Sequence, residues 1–424
     1  MNNTLSLRFT LLFLSIFFIA CQAQKGDYQN YFTGQTMRID YFHHGTADEE
    51  HFSVDKILND GLWSGSTTQL YDELNRGLYF FEVHDAESDK LIYSRGFCSI
   101  FGEWQTIPEA KTRWGTFHES VRIPWPKSAV KLVMKKRDSL NDFVAIWEKY
   151  IDPESRTVHK AEPVSRYKSW AYLENGDPAD KLDIVVLGDG YTAEEMPKFH
   201  ADIERLMAEL FKVEPFSTRK ADINVRAVET PAAQSGVTRP HDGIFKHSPL
   251  SVSYSAFDSR RYALSYDNEA LRDAASEVPY DFMYLLINEK TYGGGGIYHL
   301  YASVAVDNKF SDYIFIHEFG HHIAGLGDEY YTSSVSYDLP PVTIEPWEPN
   351  VTAFLDADNL KWRDLVGRDV PLPTPWNKKE FDAFSIEIQK ERARLRKAGA
   401  PEEELEALFE RQKAGEIAMI EKMK

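Results

Sequence analysis

Cysteine is nearly absent from this sequence. Only Cys21 and Cys98 occur among the 424 residues. An internal disulfide framework is therefore excluded unless Cys21 stays unmodified in the mature chain. Packing must stabilise the fold instead, and we expect Cys98 to be a small buried hydrophobic residue.

Positive charge is also scarce. The chain has 48 Lys and Arg against 66 Asp and Glu, which gives a formal net charge of -18 at pH 7. Nucleic-acid binding requires a basic face, so we expect no nucleic-acid partner. The composition, 43% hydrophobic and 27% charged, is typical of a globular protein. The length suggests two or three domains of about 150 residues each.

Long hydrophobic runs are missing after residue 24. No later segment approaches the roughly 18 uninterrupted apolar residues that a membrane span needs. The one marked run, FTLLFLSIFFIA, follows Arg8 and is typical of an export signal. We predict a signal peptide at residues 1–23, a mature chain that begins at Cys21 or Gln24, and a periplasmic, outer-membrane lipoprotein or secreted location. A lipid on Cys21 is the only membrane attachment expected, and the oligomeric state is left open.

The first part of the mature chain has the pattern of a β domain. Residues 24–155 contain short alternating or aromatic runs, such as RGLYFFEVHD and AVKLVMKKRD, broken by Gly, Asp and Pro. Such runs predict an N-terminal β-sandwich. A polar, proline-marked joint at residues 147–167 follows it.

The rhythm then changes to strands that alternate with helices. LDIVVLGDG is a predicted buried strand, and Thr192 and Glu195 form a capping box that begins a helix. The alternation predicts an α/β or α+β fold with a mixed, mostly parallel sheet over residues 165–376. The tail, residues 377–424, is charged, and GAP at 399–401 separates the two predicted helices of a hairpin.

The segment HEFGH at residues 317–321 has the HExxH pattern. Side chains four residues apart on a helix lie about 40° apart around its axis, so His317 and His321 project from one face. Two imidazole nitrogens can then bind one Zn²⁺ ion, and we expect one ion per chain. Glu318 is turned by about 100°, and we predict that it is a general base rather than a ligand.

A zinc site needs a third ligand, and helix geometry limits the choice. On a continuous helix Asp328 would lie roughly 16 Å along the axis from the first histidine, too far to share an ion. The chain must therefore leave the helix near Gly325 or Gly327 and fold back. Asp328 is then the favoured ligand, while Glu329 and a distant residue remain alternatives. His322 points away from the pair.

HExxH, a glycine-containing turn and DEYY, over residues 312–331, together resemble the IgA-specific metallo-endopeptidases, zinc peptidases of the zincin type. LGDGYT, NVRAVETP and YGGGGIY are similar to that family's catalytic domain, and residues 27–150 resemble the β-rich N-terminal domain of its exported bacterial members. The resemblance implies a zincin-like peptidase domain, a zinc ion and protein or peptide substrates. The metzincin pattern differs, because it has Gly and His where this chain has Ala324 and Gly327.

Other segments are candidates for the substrate site. Tyr330 and Tyr331 follow the predicted acidic ligand and could donate a hydrogen bond to an oxyanion or support the ligands. HLYASVAVDN, which contains His299 and Tyr301, is a predicted sheet edge to which an extended peptide could add as a strand. The four glycines at 293–296 are predicted to form a mobile rim or a simple flexible loop beside it.

GDGYTA at residues 188–193 also matches the G-x-G-x-x-A form of a dinucleotide-binding turn. Asp189, however, places negative charge where a pyrophosphate would bind. The next acidic strand end, Glu229, follows after about forty residues rather than about twenty. We therefore favour a tight strand-to-helix turn.

Taken together, the patterns predict an exported zinc metallo-endopeptidase. His317, His321 and Asp328 are its predicted metal ligands, and Glu318 its general base. The alternative is a non-catalytic, zinc-stabilised adhesion or glycan-binding protein, in which the front sandwich would be the working domain.

Overall fold

The computed structural model describes residues 23–329 and 343–422. The predicted signal peptide, apart from its last residue, lies outside these ranges, and Cys21 is part of it. Tyr330 and Tyr331 also lie outside them. Across the described ranges, no helix is both long and apolar enough to cross a membrane.

The N-terminal region is rich in β structure. Its described residues form the helices α1 (Ala23–Tyr31) and α2 (Ile100–Trp104). One four-stranded sheet has the order β5-β1-β2-β8, in which only β8 runs parallel to its neighbour, and a second has the antiparallel order β4-β3-β6-β7. The strands are β1 (Phe32–Gly45), β2 (Glu50–Leu62), β3 (Tyr79–Asp85), β4 (Leu91–Phe97), β5 (Gly115–Pro126), β6 (Val130–Arg137), β7 (Phe143–Ile151) and β8 (Val158–His159).

Both of these sheets contribute to one hydrophobic core. Ile39 and Tyr41 of β1, Val83 of β3 and Leu132 of β6 are all completely buried in it. Successive residues of a strand point to opposite faces, so every second residue can enter the core. The alternating runs seen in the sequence are therefore the inward and outward faces of these strands.

The second region is built on a six-stranded mixed sheet with the order β15-β16-β14-β10-β11-β9. Its four central strands are parallel, and β15 and β9 are antiparallel edges. The strands are β9 (Lys168–Leu173), β10 (Leu182–Asp189), β11 (Ile223–Glu229), β14 (Phe282–Ile287), β15 (Gly294–Ile297) and β16 (Tyr301–Ala305), and a separate small pair is β12 (Val252–Ser253) and β13 (Leu264–Ser265).

Helices cover the two faces of this sheet. They are α3 (Met196–Leu210), α4 (Asn268–Ala275) and α5 (Ser311–Ala324). Val185 and Leu187 of β10 pack in one hydrophobic cluster with α4, whereas Ile184 and Val186 pack in the other with α3 and α5. The prediction of a mixed, mostly parallel sheet between helices is confirmed.

Two local predictions are also confirmed. Thr192 and Glu195 form the expected capping box at a short 3₁₀ turn, and α3 follows directly. The tail is a helical hairpin of α6 (Lys378–Lys397) and α7 (Glu402–Glu421). Ile388 and Leu405 are buried between the two helices. The ring of Phe409 stacks on Tyr292 with 5.0 Å between the centroids, which joins the hairpin to the sheet region.

The predicted sheet edge is wrong. β16 lies between β15 and β14, so the strand that begins at Tyr301 is internal, and Tyr301 is only 1% exposed. His299 precedes the strand in a turn with φ of 57°, and its Nδ1 lies 2.7 Å from the Gly96 carbonyl oxygen. The edge strand is β15, formed by the glycine run that we expected to be a rim or loop.

Helix α5 lies directly against this glycine strand, and the absence of side chains there permits the close approach. A Cβ on Gly296 would lie 2.3 Å from the backbone oxygen of Glu318 and 3.0 Å from His321 Cβ. A Cβ on Gly294 would lie 3.0 Å from Ile314 Cγ2 and 3.4 Å from Glu318 Cγ, both on α5. Side chains at these positions would therefore separate β15 from α5.

The first prediction concerns this contact. Gly296→Ala should lower the free energy of unfolding by about 1–3 kcal/mol, because the new methyl group meets a backbone oxygen that cannot move without the helix. Gly34→Ala in β1 is the control, since a Cβ there meets nothing within 4 Å. Urea denaturation of both variants measures the difference. Equal losses in the two variants would contradict the close approach.

Candidate metal centre

Helix α5 places two imidazoles on one face. His317 and His321 are one turn apart, and their Nε2 atoms are separated by 3.1 Å. The helix itself lies against β15 and β16, with Ile314 and Phe315 buried in the core. The packed side of the helix therefore fixes the position of the two histidines, and their imidazoles face an open cleft.

The helix ends at Gly325, as predicted. Gly325 has φ of 62° and ψ of 36°, a left-handed conformation that costs glycine little. Its N–H donates to the His321 carbonyl at 3.0 Å. A Cβ at Gly325 would lie 2.8 Å from the ring of Trp347, so glycine is required there by space as well as by φ.

The turn brings Asp328 back to the two histidines. Asp328 Oδ1 lies 3.2 Å from His317 Nε2 and 3.1 Å from His321 Nε2. Two ligands held 2.0–2.1 Å from a tetrahedral ion are separated by about 3.3 Å. The three atoms thus form a nearly equilateral triangle of the size of one face of a zinc tetrahedron, and this donor set suits a Zn²⁺ ion.

The alternative ligands have other partners. Glu329 Oε1 accepts a hydrogen bond from Asn350 Nδ2 at 3.2 Å. His322 is 1% exposed, and its Nε2 accepts a hydrogen bond from the Met283 N–H at 3.2 Å. Burial lowers the pKa of His322 to about 3, which keeps its ring neutral. His322 therefore faces the core, away from the other two histidines.

Hydrogen bonds orient His321 for metal binding. Its Nδ1–H donates to the Leu326 carbonyl oxygen at 2.5 Å, which leaves Nε2 to face Asp328. Burial lowers the pKa of His321, but the hydrogen bond to Asp328 and the charge of Glu318 outweigh it and raise the pKa to about 9. For Asp328, burial raises the pKa, but the two imidazoles lower it well below its usual range.

Glu318 faces the same cleft without joining the triangle. Burial raises the pKa of its carboxyl, although the neighbouring His317 and His321 act in the opposite direction. Its Cγ would lie 3.4 Å from a Cβ on Gly294, so the side chain rests against the edge strand. A carboxyl group beside the donor triangle, with an upward-shifted pKa, is suited to accept a proton from water.

The cleft is a cavity of about 390 Å³ that both regions of the chain line. The N-terminal region supplies Cys98, Ser99 and Glu103, and the sheet region supplies the donor triangle and Glu318. The Glu103 carboxylate accepts a hydrogen bond from the Tyr262 hydroxyl at 2.5 Å. Sequence reasoning missed Glu103 because no local pattern connects α2 with residues so much later in the chain.

The remaining predicted positions are distributed differently. His299 and Tyr301 do not line the cleft, and the Tyr301 hydroxyl donates to the Ser265 carbonyl at 2.8 Å. Tyr330 and Tyr331 lie outside the described residues. Asp189 of the GDGYTA turn is buried and accepts hydrogen bonds from the Ser248 hydroxyl and the N–H of residue 252, which makes it part of the local packing.

Two family profiles match this chain. A family profile described as IgA Peptidase M64 matches residues 171–424, and one described as Peptidase M64 N-terminus matches residues 27–148. The two matches together cover most of the chain. No match was found among curated proteins.

The second prediction is a pH dependence of zinc affinity. Zinc binds neutral imidazole, so below the pKa of His321, about 9, the ion must displace a proton. Affinity should therefore rise about tenfold per pH unit between pH 7 and pH 9 and then level off. Competition with a chromophoric chelator, corrected for zinc hydrolysis, measures this. A zinc affinity that does not change from pH 7 to pH 9 would contradict the release of one proton on zinc binding.

The third prediction concerns the third ligand. Asp328→Asn should weaken zinc binding by at least about tenfold, because a neutral amide replaces the carboxylate oxygen. Glu329→Gln removes the adjacent carboxylate, which lies on Asn350, and should leave the affinity nearly unchanged. The same chelator competition compares the two variants. A larger loss of zinc affinity in Glu329→Gln than in Asp328→Asn would show that Glu329 is the third ligand.

Proposed function

This chain belongs to the IgA peptidase M64 family, and from that premise we propose that it is an exported zinc metallo-endopeptidase. The family makes the chain a metallopeptidase, a hydrolase of peptide bonds whose substrates are proteins or peptides. Zinc as the metal, endopeptidase action, export and the roles of individual residues are parts of the proposal.

The donor triangle is the observation that carries the proposal. His317 and His321 with Asp328 are three ligands that converge on one point at zinc-like separations, and the open cleft leaves room for a further ligand. A catalytic zinc site keeps such an open position, whereas a structural site is closed by four protein ligands. When bound, the ion would polarise the scissile carbonyl and lower the pKa of a coordinated water toward about 7.

The protein's own residues would carry the proton. Glu318 accepts a proton from the attacking water, which becomes the nucleophile at the scissile carbonyl carbon. The same carboxyl then donates that proton to the nitrogen of the leaving amine as the C–N bond breaks. The upward shift of the Glu318 pKa favours the first step, since a carboxyl that binds the proton more tightly is the better base.

The edge strand would orient the substrate. The Gly294 N–H donates to the Arg261 carbonyl oxygen at 3.2 Å, and the Tyr298 carbonyl accepts from the Cys98 N–H at 2.9 Å. Backbone groups alternate along an antiparallel edge, so Gly296, between these two positions, faces the cleft. An extended peptide could pair with β15 at this position as a short additional strand, next to Glu318.

The finer fold description belongs to the same proposal. A zincin-like domain is supported by helix α5 under an antiparallel edge strand, and a β-sandwich by the shared core of the two N-terminal sheets. The domain boundaries 24–155, 165–376 and 377–424 and the signal peptide stay predictions. The alternative of a non-catalytic adhesion or glycan-binding protein is not favoured, because the chain belongs to a peptidase family.

The fourth prediction separates catalysis from metal binding. Glu318→Gln should reduce peptide hydrolysis by about 10²- to 10⁴-fold, because the amide cannot take the proton from water. Bound zinc, measured by atomic absorption, should be unchanged. Asp312→Asn on the same helix is the control, since Asp312 lies in the first turn and pairs with Arg205. Cleavage of a broad protein mixture, with and without chelator, measures activity.

Two results would overturn the proposed roles. Full activity in Glu318→Gln would show that Glu318 is not the base. Activity in the wild type that is insensitive to removal of the metal would show that the triangle is not a catalytic centre.

A further inference from the structure

The N-terminal region forms a fixed wall of the active-site cleft. The Cys98 N–H donates to the Tyr298 carbonyl at 2.9 Å, and Arg76 donates to the Ala324 carbonyl at 3.1 Å, at the end of the active-site helix. These two hydrogen bonds to backbone carbonyls fix the position of the wall relative to the metal centre. Residues of this wall can therefore contact a substrate.

Two carboxyl groups besides those of Asp328 and Glu318 line the cleft. Glu103 comes from α2 of the N-terminal region, and Glu348 from the segment after the metal-binding turn. Across residues 23–329 and 343–422, neither carboxylate forms an ion pair. Lys361, the nearest cation to Glu348 along the chain, donates to its backbone oxygen and pairs instead with the Glu345 carboxylate at 3.3 Å.

Glu348 is the stronger sign of a missing partner. It is 5% exposed, and its Oε2 is buried without a hydrogen-bond partner among the described residues. The hydroxyl of Tyr298, a residue 3% exposed that lines the same cleft, also has no partner within the described part of the chain. Buried polar groups are normally satisfied, so two such orphans in one cavity point to a ligand that completes them.

Both carboxyl groups act on the Cys98 thiol, which lines the same cleft. Burial raises the pKa of the Cys98 thiol to about 12, and the charges of Glu103 and Glu348 add to that rise. Burial also raises the pKa of Glu103, to about 8, and the pKa of Glu348. In both groups burial outweighs the positive charges that act on the carboxyl, which are His321 for Glu103 and Lys361 and Arg137 for Glu348.

Lys136 and Arg261, the basic side chains that line the cleft besides the histidines, have other partners. Lys136 Nζ lies 3.0 Å from Glu50 and 2.6 Å from Gln105 Oε1. Arg261 is hydrogen-bonded to Tyr292. The wall beside Glu348 is aromatic instead, with Tyr298 and Trp347 at 6.0 Å between ring centroids. Such walls suit the aliphatic stem of a long basic side chain.

We infer that Glu103 and Glu348, with Tyr298 and Trp347, form a specificity pocket for a basic side chain, lysine or arginine, of the substrate. The inference rests on the proposed function, because it makes this cleft the substrate site. The ammonium or guanidinium group would donate to the Glu348 carboxylate and to the Tyr298 hydroxyl oxygen, and the Glu103 carboxylate would add negative charge to the same cavity. One subsite of the peptidase would thus be shared between its two regions.

A peptide series tests the pocket. A peptide cleaved by the wild type, acetylated and amidated at its ends, is made with Lys, Arg, norleucine, Gln or Glu at each position in turn. At one position, Lys and Arg should give kcat/KM at least about tenfold higher than norleucine, the size expected for hydrogen bonds to a charged group. The same peptide with a free N-terminal amine shows whether an α-ammonium group is the preferred cation instead, which would overturn the assignment to a side chain.

Variants then locate the pocket. Glu103→Gln and Glu348→Gln should each lower the Lys-to-norleucine ratio of kcat/KM by about tenfold, with unchanged bound zinc. Glu87→Gln, at an exposed position outside the cleft, is the matched control and should keep the wild-type ratio. Thermal melting shows whether the Glu348→Gln variant is folded. If it is misfolded, the result for Glu103→Gln alone decides. An unchanged ratio in folded Glu103→Gln would overturn the inference.

Binding without hydrolysis separates this inference from the proposed function. Glu318→Gln protein is titrated calorimetrically with the Lys and norleucine forms of the peptide. Selective binding of the Lys form, with a wild type that cleaves nothing, would support the pocket and contradict the peptidase mechanism. Cleavage without charge preference would do the reverse. Absence of both selectivity and cleavage would overturn both.

Discussion

The close approach of a glycine strand to the metal-binding helix is the constraint on which the rest of the structure depends. β15 lies so near α5 that a methyl group on Gly296 would overlap the backbone oxygen of Glu318. That contact fixes the orientation of the helix on the sheet, and with it the direction in which the two histidines project into the cleft. It also places Gly296, which lines the cleft, beside the residue that we propose as the base.

A second contact links the metal centre to the rest of the cleft. Trp347 packs on Gly325, where the chain leaves the helix in a left-handed turn. The residue that follows Trp347 in the sequence is Glu348. The turn that brings Asp328 to the histidines is therefore braced by the same segment that lines the inferred specificity pocket. A change in that segment would alter metal geometry and substrate preference together.

Much of the site could be predicted from local patterns, because its geometry is local. Two histidines at helical spacing, a glycine that ends the helix and an acidic residue beyond it define the triangle over residues 317–328. The sheet edge could not be predicted in this way. Strand order is decided by pairing between distant segments, and a glycine run has no side chains that reveal its packed faces. Glu103 and Glu348 were missed for the same reason, since only the folded chain brings them to one cavity.

The most direct test of the account is a crystal structure of the zinc-loaded protein, with anomalous data collected at the zinc edge. The account predicts one strong peak about 2.0–2.2 Å from His317 Nε2, His321 Nε2 and a carboxylate oxygen of Asp328, with an open position toward the cleft. A peak at another place, or one at the histidines with Asp328 turned away from it, would contradict the central claim.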